Sequence, residues 1–248
     1  MATEEKNIIT AAGWIANSQN LVAFTGAGIS VESGIPSFRG KDGLWSKYNP
    51  EALDIQYFNS NPANSWKVIF EIFYHFFLEA KPNQAHGLLS QLEHKGILKA
   101  LITQNIDNLH QEAGSKAVIE YHGNSKYLIC PACGARHPVA EINLKPLPPR
   151  CQSDHSVLKP DFVFFGEGIP EEAASRAVDA ASKADVLLII GTTGEVIPAN
   201  MLPQIAKSAG ARVIEINTQA SEYTPTITDL FLKGKAGEIS SHLETFLF

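Results

Sequence analysis

Short apolar runs alternate with longer amphipathic stretches along this chain. LVAFT (21–25), LKALIT (98–103), AVIEY (117–121), DFVFF (161–165), DVLLII (185–190) and RVIEI (212–216) are nearly continuous in apolar and β-branched residues. Such runs fit strands of a parallel sheet covered on both faces. Between them, residues 83–95, 170–183 and 198–209 carry apolar positions at helical spacing, and residues 1–20 open as an acidic amphipathic helix. The alternation predicts an α/β fold with a doubly wound, Rossmann-like parallel sheet.

Two stretches break the alternation. Residues 36–80 hold no strand-like run, but Trp66, Ile69, Phe70, Phe73 and Phe77 fall on one face at helical spacing. Residues 126–159 are rich in Pro, Cys and Gly, with strand pattern only at 126–129. The predicted organisation is a large domain built from 1–35, 81–125 and 160–248, with a loop and helical module at 36–80 and a small Cys-rich module at 126–159.

Length and charge narrow the function classes. A chain of 248 residues buries a substantial core. A net charge of −6 argues against nucleic acid as the main partner. No basic leader precedes an apolar run at the N-terminus, and no apolar run approaches membrane-spanning length. Three cysteines, two of them as C-x-x-C, suit a metal site in a reducing compartment better than a disulfide framework. The expectation is a cytoplasmic protein with neither membrane nor nucleic-acid partner. Nothing in the pattern bears on oligomeric state.

The polar residues with chemical potential cluster just past the predicted strands, where an open α/β sheet forms its ligand crevice. Gly26 and Gly28 follow the first strand, where backbone N–H groups and a helix N-terminus suit a pyrophosphate. Val31 stands where the dinucleotide fingerprint has its third glycine, which disfavours a hydride-transfer dehydrogenase and leaves a ligand-free turn open. Phe38 and Arg39 lie on a loop between Pro36 and Gly40; the Arg suits a phosphate and the Phe a sugar or base, or they are a surface Arg and a core Phe. Gln104, Asn105 and Asp107 end the second strand and suit a hydrogen-bonded cofactor, although Asp107 or Asn108 would equally cap the next helix.

His122, between AVIEY and a glycine, is placed to accept a proton near neutral pH, whereas His86 in a helical pattern reads as packing or capping. GTTGEV (191–196) and Asn217 suit phosphate or ribose, or are turn chemistry. Cys130, Cys133 and Cys151 stand at metal-ligand spacing. Asp154 or His155 is the candidate fourth ligand, with His137 a less regular one.

In chain order, GAGIS-x-x-SGIP-x-FRG, TQNID-x-LH, HGN, C-x-x-C, DFVFFGE, GTT-x-x-V-x-P and a late IN resemble the sirtuin family of NAD-dependent protein deacylases, over roughly residues 14–245. The resemblance implies that Gly26, Ala27, Gly28, Ile29, Phe38 and Arg39 form the NAD-binding turn and the loop over it. It implies that Gln104, Asn105 and Asp107 hold the nicotinamide and its ribose, that Gly191, Thr192, Thr193, Asn217 and Ala236 bind the ADP-ribose half, and that His122 is the general base, with Asn105 beside it in catalysis. Val163, Phe164 and Phe165, with Gly194, Glu195 and Val196, would flank an acyl-lysine peptide added as a strand. The Cys-rich module would be a zinc-ribbon-like structural clip for Zn²⁺. The implied reaction consumes NAD and yields nicotinamide, free lysine and O-acyl-ADP-ribose.

The chain departs from the family pattern twice. Gly194 stands where many sirtuins have leucine, and Phe77 where succinyl-preferring members have the arginine of Tyr-x-x-Arg, with Tyr74 matching the tyrosine. Acetyl or longer apolar acyl groups are therefore the expected substrates. An NAD glycohydrolase or mono-ADP-ribosyltransferase, slightly favoured by Gly194, and a non-catalytic NAD sensor are the alternatives. The presence of His122 and Asn105 speaks against the sensor.

Overall fold

Five of the predicted runs pair side by side, in parallel. In the computed structural model, which describes residues 2–38, 43–75, 77 and 79–248, they are β1 (Leu21–Thr25), β2 (Leu98–Thr103), β3 (Val118–Glu120), β7 (Val186–Ile190) and β8 (Arg212–Asn217). The short β9 (Leu230–Lys233), which the pattern does not predict, completes the sheet in the order β3-β2-β1-β7-β8-β9. Its apolar run is only Leu230–Leu232, between the charged Asp229 and Lys233, and is too short for the pattern to separate from a loop.

A strand buried on both faces sends alternate side chains to two cores. In β1, Leu21 and Ala23 face the core shared with α1 (Ala2–Ala16), α4 (Gln84–His94) and α8 (Ala236–Leu247). Val22 and Phe24 face the core shared with α6 (Glu171–Lys183) and α7 (Met201–Ser208). From β1 the chain winds toward β2 and β3, and from β7 toward β8 and β9, so the winding reverses between β1 and β7. Ligands of open α/β sheets sit outside the strand carboxyl ends at such a reversal.

The run DFVFF does not join this sheet. Its first two residues end β6 (Lys159–Phe162), which pairs antiparallel with β4 (Gly123–Ile129) in a three-stranded sheet completed by β5 (Arg136–Pro138). A short apolar run reports burial and not its partner, so the pattern alone does not separate the two sheets. α2 (Ile55–Ser60) and α3 (Pro62–Ile69) pack on that small sheet, with Trp66, Ile69, Phe73, Leu128, Leu158 and Phe162 in one core. The Trp66 indole N–H donates to Leu158 O at 2.8 Å and fastens the helical residues to the Cys-rich ones. The predicted helix through Phe77 stops at Ile69. A π-helical turn over Phe70–His75 follows, and it buries Ile72, Phe73 and Tyr74 in succession. The short α5 (Leu109–Glu112) follows β2.

Candidate active site

At the reversal point two turns lie backbone to backbone. Gly26 N–H donates to Ile190 O at 3.0 Å, Gly28 N–H to Gly191 O at 2.8 Å, and Gly191 N–H to Ile216 O at 3.1 Å. A Cβ on Gly28 would lie 2.6 Å from Gly191 Cα, and one on Gly191, at φ +66°, 2.4 Å from Ile29 N. Both glycines are therefore required by the approach of the two turns, before any ligand is considered.

These turns floor a cleft of about 800 Å³. Of the predicted site residues, it is lined by Gly26, Ala27, Gly28, Phe38, Gln104, Asn105, His122, Val163, Phe164, Phe165, Gly191, Thr192, Thr193, Val196, Asn217 and Ala236. Four others stand off the lining: Ile29 and Asp107 are buried behind it, and Gly194 and Glu195 lie beside it. Arg39 lies outside the described residues. Sequence reasoning missed Trp45, Leu53 and Phe73, which wall one end of the cleft, and Glu32, Thr218–Ala220 and Lys235, which wall the other. Only Phe73 left a trace in the sequence, as part of the apolar stripe.

His122 follows β3, and its Nδ1 lies 3.1 Å from Gln104 O. A carbonyl only accepts, so Nδ1 carries the proton and Nε2 the lone pair of the neutral ring. Burial lowers the His122 pKa below its ordinary value, and the Gln104 carbonyl partly opposes this. Beside it, Asn105 Nδ2 donates to Gly26 O and to Ser30 Oγ, both at 3.2 Å. Gln104 Nε2 donates to Thr192 Oγ1 at 3.1 Å, bridging the β2 and β7 turns.

Asp107 accepts from Ser30 Oγ at 2.7 Å and from Leu109 N–H at 3.0 Å. It braces the turn from behind and serves in part the capping role that its position also suggested. Burial raises its pKa against these hydrogen bonds. The Asn217 amide is also engaged internally: Nδ2 donates to Thr192 O, and Oδ1 accepts from Thr218 N–H, each at 2.9 Å. Gly194, at φ +78°, has the Tyr223 ring 3.0 Å from where a Cβ would stand, so Tyr223 fills the space that a larger residue 194 would take.

Under the floor lies a buried histidine pair. His86 Nδ1 accepts from Asn83 N–H at 3.3 Å, and the His86 and His110 rings are 4.8 Å apart. His110 Nε2 is 3.0 Å from Thr25 Oγ1, Thr25 donates to Thr103 Oγ1 at 2.9 Å, and Asn105 N–H donates to the same oxygen at 3.1 Å. Burial pushes the His86 pKa down from 6.5 to about 4, and burial, with His86 nearby, also holds His110 well below its ordinary value. The unfolded chain takes up these protons near pH 6.5 and the folded one does not. Stability is therefore full above 6.5 and falls as pH drops toward 4, by on the order of 3 kcal/mol from His86 alone. Urea unfolding at pH 7 and pH 5 checks this; equal midpoints would refute it.

In the Cys-rich module the ligand atoms of Cys130, Cys133, Cys151 and Asp154 all lie within 4.8 Å of one another. Cys133 Sγ is 3.8 Å from Cys151 Sγ, and Cys130 Sγ is 3.3 Å from Asp154 Oδ2. A tetrahedral zinc with ~2.3 Å Zn–S and ~2.1 Å Zn–O bonds needs edges of ~3.8 Å between sulfurs and ~3.6 Å from sulfur to oxygen. The donor set fits, and all three thiols are free. His155 is outside the cluster; its backbone N–H donates to Cys151 O. His137 Nε2 is 3.9 Å from Cys151 Sγ and also outside the cluster. Among the described residues no helix is long and apolar enough to cross a membrane.

The Sir2 family profile matches residues 26–198. The NAD-dependent protein deacylase of Pyrococcus furiosus is 49% identical over 235 residues, covering 91% of this chain and 92% of that protein. A Sir2 homologue solved in complex with NAD superposes with a TM-score of 0.88 at 42% identity, covering 96% of this chain and 94% of its own. A Sir2 protein solved with a p53 peptide and NAD⁺ superposes with a TM-score of 0.88 at 36% identity, covering 95% and 96%.

Proposed function

The chain belongs to the Sir2 family, and on that premise we propose how its cleft works as the site of an NAD-dependent protein deacylase. Its substrates are NAD and an acyl-lysine peptide; zinc is a structural ion in the Cys-rich module. Three free thiols suit a reducing compartment, and we assign the protein to the cytoplasm.

His122 carries the reading. A base fixed by one ring nitrogen on a backbone carbonyl, and kept neutral by burial, is what abstraction of a hydroxyl proton needs. In the proposed reaction the acyl oxygen attacks the anomeric carbon of the nicotinamide ribose and nicotinamide leaves. His122 Nε2 takes the proton of a ribose hydroxyl as that oxygen attacks the acyl carbon. Hydrolysis then gives free lysine and O-acyl-ADP-ribose. Gln104 and Asn105 face the nicotinamide half. Gly26–Gly28, Gly191–Thr193, Asn217 and Ala236 take the ADP-ribose half, with Phe38 and Arg39 over it. Ile29 and Asp107 act from behind, by supporting the turn.

The peptide runs between Val163–Phe165 and Gly194–Val196. Residues 1–35, 81–125 and 166–248 supply the NAD-binding part, while 36–80 and residues 160–165, which continue the small sheet, close the acyl end, and the Cys-rich residues 126–159 support that end from outside the cleft lining. Glycohydrolase or ADP-ribosyltransferase chemistry would not need that apolar end, formed by Trp45, Leu53, Phe73, Phe162 and Phe164.

Among the described residues the one lysine or arginine lining the cleft is Lys235, next to Ala236. Phe77 packs edge-on against Phe73 at 5.5 Å, and Tyr74 stacks on Trp66 at 6.0 Å. A succinyl carboxylate at the acyl end would lose its water and gain no cation among the described residues, at a cost of roughly 3 kcal/mol or about a hundredfold in kcat/KM. Incubation with NAD and acetyl-lysine or succinyl-lysine peptides, read by mass, is expected to give O-acetyl-ADP-ribose and much slower desuccinylation. Free or protein-linked ADP-ribose as the main product would overturn the deacylase reading. Desuccinylation outrunning deacetylation would overturn the acyl preference alone.

A further inference from the structure

Lys159 plays no part in the chemistry above, yet it is a charged residue only 7% exposed. Its ammonium has three hydrogens and three oxygens in range: Glu167 Oε2 at 2.9 Å, Phe162 O at 2.7 Å and Pro160 O at 3.1 Å. It also stands 4.2 Å from the centroid of the Phe164 ring. Burying an ammonium costs several kcal/mol unless it is paired and fully hydrogen-bonded, and here both conditions hold. An apolar side chain would pack into the same core more cheaply but would offer the oxygens nothing.

The oxygen of Glu167 that meets Lys159 also accepts Phe164 N–H at 2.8 Å. Glu167 N–H returns a hydrogen bond to Phe164 O at 3.0 Å, closing a turn in which Gly166 adopts φ +87°. The rest of the segment is tied just as closely. Val163 N–H donates to His122 O at 2.9 Å, Phe165 N–H to Leu53 O at 2.8 Å, and Ile55 N–H to Phe165 O at 3.0 Å. Residues 163–165 are therefore held to the catalytic histidine's own backbone at one end and to the helical residues at the other. Between those ends, the Lys159–Glu167 pair fixes Phe164.

We propose that Lys159 and Glu167 form a positioning brace that sets the peptide-facing segment 163–165, and through it the affinity for acyl-lysine peptide, while leaving the NAD half of the cleft unaffected. The inference rests on reading 163–165 as a peptide wall. Lys159 reaches the wall from the core side, and Glu167 lines the cleft itself. Without the ammonium, the partly exposed Glu167 carboxylate has water as its better partner and releases Phe164 N–H.

The test compares Lys159→Met, Lys159→Arg and Glu167→Gln with the parent protein. It uses an acetyl-lysine peptide and NAD in steady state, with NAD affinity by calorimetry and the thermal midpoint alongside. Lys159→Met is expected to raise the peptide KM about tenfold or more with the NAD Kd within about twofold, and Lys159→Arg to recover most of the loss. Glu167→Gln keeps an oxygen for Phe164 N–H but not the charge, so it should raise the peptide KM in the same direction. It remains decisive if Lys159→Met fails to fold. A peptide KM unmoved in Glu167→Gln, or peptide KM and NAD Kd rising together in every variant, overturns the brace. If the parent protein shows no deacylation, the function reading fails on its own. The brace is then judged by anisotropy of a labelled acetyl-lysine peptide on the same variants, where unchanged affinity refutes it.

Discussion

Replacing His122 with alanine is expected to slow deacylation by roughly 10²- to 10⁴-fold, the usual worth of a positioned general base, while NAD binding changes little. The separation follows from where the ring sits. The ring's hydrogen bond runs to Gln104 O, at the junction of the two halves of the cleft, and the turns that floor the ADP-ribose half are tied through Gly26, Gly28 and Gly191 without it. The pH profile gives an independent check. Burial lowers the His122 pKa from 6.5, so the neutral, active form persists below that pH and is lost only as pH falls through the lowered value. The acid limb of kcat/KM is expected below pH 6.5 in the parent protein and absent from the residual activity of His122→Ala. A limb above 6.5, or a variant as fast as its parent, would take His122 out of the reaction.

The residues that sequence reasoning located best are those for which chain position alone determines the site. Gln104, Asn105, His122 and Thr192 each follow a strand of the parallel sheet, and the doubly wound order sends all those ends to one crevice. Where a second element decides, the sequence was silent or misleading. Trp45, Leu53 and Phe73 reach the cleft from the helical residues, and apolar side chains that line a pocket look like those that fill a core. Asp107 shares a motif with Asn105, but a carboxylate bonded to Ser30 and Leu109 is used up behind the turn. Gly28 shows the same limit. Its spacing suggested room for a pyrophosphate, whereas the contact that forbids a side chain there is Gly191.

Protein purified without chelator is expected to carry one zinc per chain, to lose it on Asp154→Ala and to keep it on His155→Ala. Both candidates follow Cys151 closely enough to serve, so spacing did not choose between them; backbone direction does. His155 sits at φ +61° with its N–H on Cys151 O, while Asp154 brings a carboxylate within 3.3 Å of Cys130 Sγ. Cys133–Cys151 and Cys130–Asp154 are then opposite edges of one tetrahedron. Structural zinc in small fingers is worth ~10–16 kcal/mol of apparent binding energy, enough to decide whether such a module folds at all. Here Cys130 and Cys151 are also buried against Leu128, Leu158 and Trp66, so part of the module's stability is independent of the metal. Removing zinc should lower the thermal midpoint and expose the thiols to reagent, while far-ultraviolet dichroism, dominated by the larger parallel sheet and its helices, changes little. The exposed carboxylate makes Asp154 the weakest of the four attachments. Asp154→Cys is accordingly expected to resist chelator longer than the parent protein. Metal content well below one per chain in the untreated protein, or zinc retained by Asp154→Ala, would show that the three thiols hold no metal through this carboxylate.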